Sequence, residues 1–108
     1  MRIELTEVFW LHEHHALSVD QLAEFSGLSE ADVNELVDYG AIAPIDTAAP
    51  QRSFEAPCIV AARTACRLRD DFDLNMHGVA LALTLLDRVR DLETQLSDLR
   101  ARLPRRLL

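Results

Sequence analysis

Residues 18–40 read SVDQLAEFSGLSEADVNELVDYG, and the reading of this stretch decides the fold. It opens on Ser18-Val19-Asp20-Gln21, an S-x-x-Q capping box. In such a box the serine hydroxyl and the glutamine side chain each satisfy a backbone N–H at the start of a helix. The helix this predicts runs to Ser26 and stops at Gly27. Ser29 then opens a second helix, with Asp32 completing a weaker form of the same box. That helix reaches Tyr39 and ends at Gly40, a residue suited to a left-handed C-terminal position. Leu22, Phe25, Leu28, Val33, Leu36 and Val37 supply the apolar contacts between the two. Short helix, tight turn and short helix together make a helix-turn-helix pattern.

Downstream, residues 44–56 read PIDTAAPQRSFEA. Two prolines and several small polar residues predict a wing or hairpin loop, with Ile45 and Phe54 as its strand anchors. Pro57 suits the first turn of a third helix, expected over residues 57–72. Asn75 is the expected N-cap of a fourth, running to about Leu103 before Pro104. Upstream, residues 3–11, IELTEVFWL, alternate as a short strand, with Ile3, Leu5 and Phe9 on one face. Paired with the wing, that strand gives a small antiparallel sheet, since a lone strand is unstable. The expected class is therefore mainly α, a winged helix-turn-helix with a small sheet and a long C-terminal helix.

The fourth helix carries a repeat. Leu85, Val89, Leu92, Leu96, Leu99 and Leu103 alternate spacings of four and three residues. Val89, Leu96 and Leu103 take heptad position a, and Leu85, Leu92 and Leu99 take d, with Arg88, Glu93, Arg100 and Arg102 flanking the seam. The stripe runs past any plausible partner within the chain, which points to self-association as a homodimer. The division expected is residues 1–74 for the winged helix-turn-helix and residues 75–108 for the dimerisation helix.

At 108 residues, with 49% hydrophobic and 27% charged, the chain is an ordinary globular domain. No apolar run approaches the ~20 residues of a bilayer span, and Met1-Arg2-Ile3-Glu4 does not begin a signal peptide. A reducing cytosol, without membrane association, is the expected location. The net charge of −7 is uneven. Residues 1–56 hold eleven acids and two arginines, net −9, and residues 57–108 hold seven acids and nine arginines, net +2. An acidic N-terminal half repels phosphate and attracts basic surfaces.

That charge bears on what the second helix touches. Val33, Leu36 and Val37 mark its buried side at about 100° per residue. The opposite side carries Ala31, Asn34, Glu35 and Asp38, with Glu30 and Asp32 at its margins. A helix that reads DNA meets phosphates and guanine edges with arginine or lysine. This one has four acids and no base, and only Arg52 in the wing offers a cation. Each carboxylate brought near the DNA backbone opposes an association that rests on cation release.

Residues 18–44, SVDQLAEFSGLSEADVNELVDYGAIAP, resemble the N-terminal helix-turn-helix of MerR-type regulators in spacing and in the closing Gly40-x-x-x-Pro44. Residues 67–87, RLRDDFDLNMHGVALALTLLD, are similar to chaperone modulatory proteins of the CbpM type. The runs that carry this are Arg67-Leu68-Arg69, Asn75-x-x-Gly78-Val79 and Leu81-Ala82-Leu83-x-Leu85-Leu86-Asp87. The resemblance covers roughly residues 15–95. It implies a MerR-like fold that binds protein, the partner being the J-domain of a DnaJ-like co-chaperone of the CbpA type. It further implies inhibition of that co-chaperone's work with the DnaK chaperone, no catalysis and no cofactor. The wing departs from the family's aromatic pair, with only Phe54 in place. The partner surface expected is Glu30, Ala31, Asp32, Asn34, Glu35 and Asp38, an acidic face for the basic helix that a J-domain presents. The alternative reading is a MerR-like transcription regulator that binds DNA.

Other constellations carry less. His12 and His14 share a face of the predicted strand and His15 follows, but two imidazoles fall short of the usual three or four metal ligands. No metal site is expected. Cys58 and Cys66 lie eight residues apart on a predicted helix, roughly 12 Å along its axis and beyond the reach of a disulfide. No phosphate-binding loop or nucleophile elbow is present, so an enzyme is not expected. Arg67 and Arg69, beside Asp70, Asp71 and Asp73, read as ion pairs that fix the turn between the third and fourth helices. Gly78 reads as a point of close helix approach.

Overall fold

The computed structural model describes residues 16–104. In chain order these form β1 (Leu17–Ser18), α1 (Val19–Ser26), α2 (Glu30–Asp38), β2 (Ser53–Phe54), α3 (Cys58–Phe72) and α4 (Met76–Arg102). The strand predicted over residues 3–11, and with it His12, His14 and His15, lies outside the described residues.

Local chemistry sets the helix ends as predicted. The Gln21 N–H donates to Ser18 Oγ at 3.3 Å, and the Ser18 N–H donates back to Gln21 Oε1 at 3.0 Å. Asp32 and Ser29 repeat this exchange at 3.0 and 3.4 Å. Each box supplies partners to N–H groups that a helix start otherwise leaves unpaired. Gly27 closes α1 with φ 90°, a left-handed conformation that a side chain resists. A Cβ there would also come within 3.2 Å of Cys66 Sγ on α3. The turn between α1 and α2 thus needs glycine both for its backbone and for its neighbour.

The sheet has two antiparallel strands, with Leu17 opposite Phe54 and Ser18 opposite Ser53. Phe54 anchors the wing as expected and is fully buried. Ile45 does not. It lies outside the sheet and is 52% exposed, and the wing is closed there by its N–H donating to the Ser53 carbonyl at 2.8 Å. The inward place opposite Phe54 belongs to Leu17. A second anchor from the wing therefore has no core position to fill.

Leu17, Leu22, Val33, Leu36, Phe54, Ile59 and Val79 form the centre of the core. α1 packs on α2 and α3, while α4 packs on α2 and α3. α4 enters this core with Met76, Val79, Ala80 and Leu83, the i, i+3, i+4, i+7 spacing of one helix face. Beyond Leu83, Leu86, Asp87 and Arg90 still border Pro57, Val60 and Ala61 at the start of α3 before the helix projects outward, and every residue from Thr84 to Pro104 is exposed. The projection stretches the molecule to 55 Å, against 34 and 31 Å in the other directions. At the root of α4, the His77 ring stacks on Tyr39 at the end of α2, with centroids 4.6 Å apart.

Two expectations about the α3–α4 turn are corrected. Arg69 does pair with Asp70 at 3.0 Å, but its outer nitrogen reaches Asp32 of α2, also at 3.0 Å. Among the described residues Arg67, Asp71 and Asp73 join no ion pair. The turn is set by backbone chemistry instead. Asp73 adopts φ 54°, which its short polar side chain tolerates, and Asn75 caps α4. Gly78 does not admit another helix. The atoms a Cβ would meet are Asn75 Oδ1 at 3.4 Å and Leu74 Cβ at 3.6 Å, both in the turn before α4. Its N–H donates to that same Asn75 oxygen at 2.8 Å, so the small residue eases the cap.

Among the described residues, no helix is long and apolar enough to cross a membrane.

Candidate functional site

α2 stands on the core through Val33 and Leu36, and this orients the rest of its surface. The six residues expected on its outer side divide into three kinds. Glu30, Ala31 and Glu35 are exposed, and among the described residues no ion pair holds either glutamate. Asp32 is occupied at the helix start, where its Oδ2 accepts from the Ser29 N–H and from Arg69 Nη1, and its side chain is 22% exposed. Asn34 and Asp38, one turn apart, both face Arg52 of the wing. Arg52 Nη1 donates to Asn34 Oδ1 at 2.8 Å, and Nη2 donates to Asp38 Oδ1 at 3.1 Å.

The wing and α1 extend this face. A groove of about 440 Å³ runs between the starts of α1 and α2 and the wing, lined in part by Asp20, Glu30, Asn34 and Arg52. Asp20 was not among the residues expected there. The hydrogen bond from the Ser18 hydroxyl holds its carboxyl below the ordinary carboxylate range, helped by backbone N–H groups at the α1 start. The sequence signal was available, because the Ser18 box fixes Asp20 in the first turn of α1. A second groove, of about 480 Å³, lies on the far side of Arg52, between the end of α2 and the wing. Arg52, the one wing cation available for DNA, is thus turned onto α2 and already holds two of its acceptors.

Behind α2, Arg69 is a hub. Besides Asp32 and Asp70 it donates to Cys66 Sγ at 3.5 Å. Burial pushes the Cys66 thiol above its ordinary pKa, and the nearby guanidinium only partly offsets this. Burial does the same to Cys58. Both cysteines are free, as their spacing on one helix predicts. Among the described residues, no three His, Cys, Asp or Glu side chains converge where a metal ion could sit.

The second surface is the heptad stripe. Leu85, Val89, Leu92, Leu96, Leu99 and Leu103 are between 47% and 62% exposed. At about 100° per residue, Leu85 lies almost opposite Leu83, the last residue that α4 gives to the core. One helix therefore carries two apolar faces, one inside the domain and one in solvent. Leu81, 61% exposed, starts the outer stripe a turn earlier than the six expected positions.

Two short capped helices around a glycine turn, a wing and a projecting C-terminal helix define a MerR-like helix-turn-helix protein. The sequence model described as MerR HTH family regulatory protein matches residues 17–101. Individual relatives narrow the class. The chain is 31% identical over 83 residues to the chaperone modulatory protein CbpM of Coxiella burnetii (strain Dugway 5J108-111), covering 77% of this chain and 78% of that protein. It is 31% identical over 88 residues to the CbpM of Escherichia coli O1:K1 / APEC, covering 82% of this chain and 87% of the relative. The chain belongs to the CbpM family of MerR-like proteins.

Proposed function

We propose that this chain is a chaperone modulator, which binds the J-domain of a DnaJ-like (CbpA-type) co-chaperone and inhibits its cooperation with the DnaK chaperone. It works in the bacterial cytoplasm as a homodimer, by recognition and not by catalysis. The coarse role is supported by its relatives, named chaperone modulatory proteins. The observation that carries the finer reading is the outer side of α2. Where a DNA-reading helix carries cations, this one presents Glu30, Ala31, Asn34, Glu35 and Asp38, and Asp32 at its start. Charge complementarity of this kind speeds encounter and selects the partner more than it adds affinity. Bound there, the modulator covers the basic helix that the J-domain needs for DnaK.

The homodimer rests on α4. A helix without tertiary contacts is marginal in water over the length that α4 projects. Burying the leucine seam against a second copy removes that difficulty, at ~1.5–3 kcal/mol for each fully covered leucine or valine.

Calorimetry with the purified J-domain tests the proposal. Reversing charge with Glu35→Lys and Asp38→Lys together weakens binding by at least about tenfold, because like charges across an interface cost several kcal/mol. Unchanged affinity in a folded double variant sinks the placement on α2. The rival reading, a DNA-binding regulator, is favoured by the description of the matched family as regulatory proteins. It predicts a promoter gel shift at ordinary salt, and that shift would replace the present proposal.

A further inference from the structure

The wing arginine occupies the surface that a basic partner needs. Its two outer nitrogens are split between Asn34 Oδ1 at 2.8 Å and Asp38 Oδ1 at 3.1 Å. A planar guanidinium suits this pair of acceptors. It offers two forward-facing donors in a fixed fork, whereas an ammonium acts as a point charge. Asn34 and Asp38, at i and i+4, therefore form a seat of guanidinium shape on the outer side of α2. In the free chain the seat is filled from within.

Arg52 also forms a wall. It lines the groove that holds Asp20 and Glu30, and it lines the groove at the end of α2 with Val37, Ile42 and Pro44. The two grooves share Arg52 and Pro50, so a swing of Arg52 away from α2 widens the passage between them. The swing is not expensive. The side chains of the pair are 36% and 64% exposed, and exposed pairs contribute little because water replaces each partner. Arg69 differs in this respect. Its carboxylate partner Asp32 is only 22% exposed and belongs to the capping box, so that pair belongs to the fold.

We infer that Arg52 is an internal stand-in for the partner: its guanidinium fills the Asn34–Asp38 seat in the free protein, and an arginine of the partner's basic helix displaces it on binding. The inference rests on the proposed recognition of a J-domain by α2. Arg52 then acts as a selectivity gate. A partner enters only if its own guanidinium matches what the wing already supplies, and weakly basic or lysine-only surfaces fail to repay the exchange. A seat open for only a fraction of the time lowers apparent affinity by that fraction.

Titration of the purified J-domain of a DnaJ-like co-chaperone into wild-type protein, Arg52→Gln and Glu35→Lys tests this. Arg52→Gln is expected to bind about three- to tenfold tighter than wild type, the range that loss of an exposed pair and its hydrogen bond allows. Glu35→Lys is expected to bind more weakly. If the wild type binds and Glu35→Lys is weakened, but Arg52→Gln binds equally or less well, Arg52 holds the wing for the partner and the gate is overturned. If the wild type itself does not bind, the J-domain reading fails and takes the gate with it. A measurement on the wild-type chain guards against a poorly folded variant. The nitrogen-15 side-chain resonance of Arg52 should move toward that of a free arginine when unlabelled J-domain is added, and an unmoved resonance in the saturated complex overturns the inference.

Discussion

The domain built from α1, α2, α3 and the root of α4 differs in almost every physical respect from the outer length of α4. In the first, Leu22, Val33, Leu36, Phe54 and Ile59 are sealed from water, and the carboxylates are left outside. In the second, nothing after Leu83 is buried, and a stripe of leucines is left outside beside the charged residues of the same helix. The domain satisfies its apolar demand internally and addresses the outside through charge. The projecting helix has an unmet apolar demand and addresses the outside through it. The acidic helix face and the leucine stripe thus lie on different parts of one small chain. This fits the proposal of two partners, a basic J-domain for the first part and a second copy for the other.

The contrast breaks most readily in the sealed core. Leu36→Ala opens a cavity beneath α2 and should cost ~3 kcal/mol or more in urea unfolding, within the range for buried leucines. That is a large share of a domain's stability. A cost below ~1 kcal/mol would mean that the core does not centre on α2. The next largest effect lies in the other region. Leu92→Glu combined with Leu96→Glu should leave the domain's own core intact, because neither residue touches it. In sedimentation the dimer should dissociate at concentrations where the wild type holds together, and helical circular dichroism should fall as the outer part of α4 frays. A double variant that sediments like the wild type would remove the seam from the interface.

The smallest effect concerns pH and sharpens the domain's side of the contrast. The Asp20 carboxyl is held below its ordinary value, first by the Ser18 hydroxyl. A group lowered in this way adds stability above its unfolded pKa and loses it as pH falls through the folded value. Asp20→Asn should therefore lower the melting temperature slightly near neutrality, and the difference from wild type should close as pH falls through the acid range. A loss of melting temperature that is equal at all pH values would assign Asp20 a purely steric role.

Legibility in the sequence followed the range of the interaction. The capping boxes at Ser18 and Ser29, the stop at Gly27 and the cap at Asn75 depend on residues two to four positions apart, and each was readable. What was not readable joins distant parts of the chain. The partner of Phe54 is Leu17, and no feature of the wing says that Ile45 is left in water. Arg69 sits among three aspartates, so a local reading pairs it with them. Its grip on Asp32 spans 37 residues and exists only because α2 and α3 both pack on α1 and on α4. The candidate site divides in the same way. The acidic character of α2 was legible from its helical period. The engagement of Asn34 and Asp38 by Arg52 was not, because it needs the fold of the wing. Gly78 is a case where a general habit of glycine misled, since its neighbours belong to the cap of its own helix.

The ring stack at the base of α4 has a practical side. Tyr39 is the chain's sole tyrosine, and it lies face to face with His77, 14° from parallel. Its phenol is a native chromophore at the joint between the two helices. The phenol's share of the near-ultraviolet spectrum, beside that of the chain's one tryptophan, can therefore report a tilt that parts the two rings.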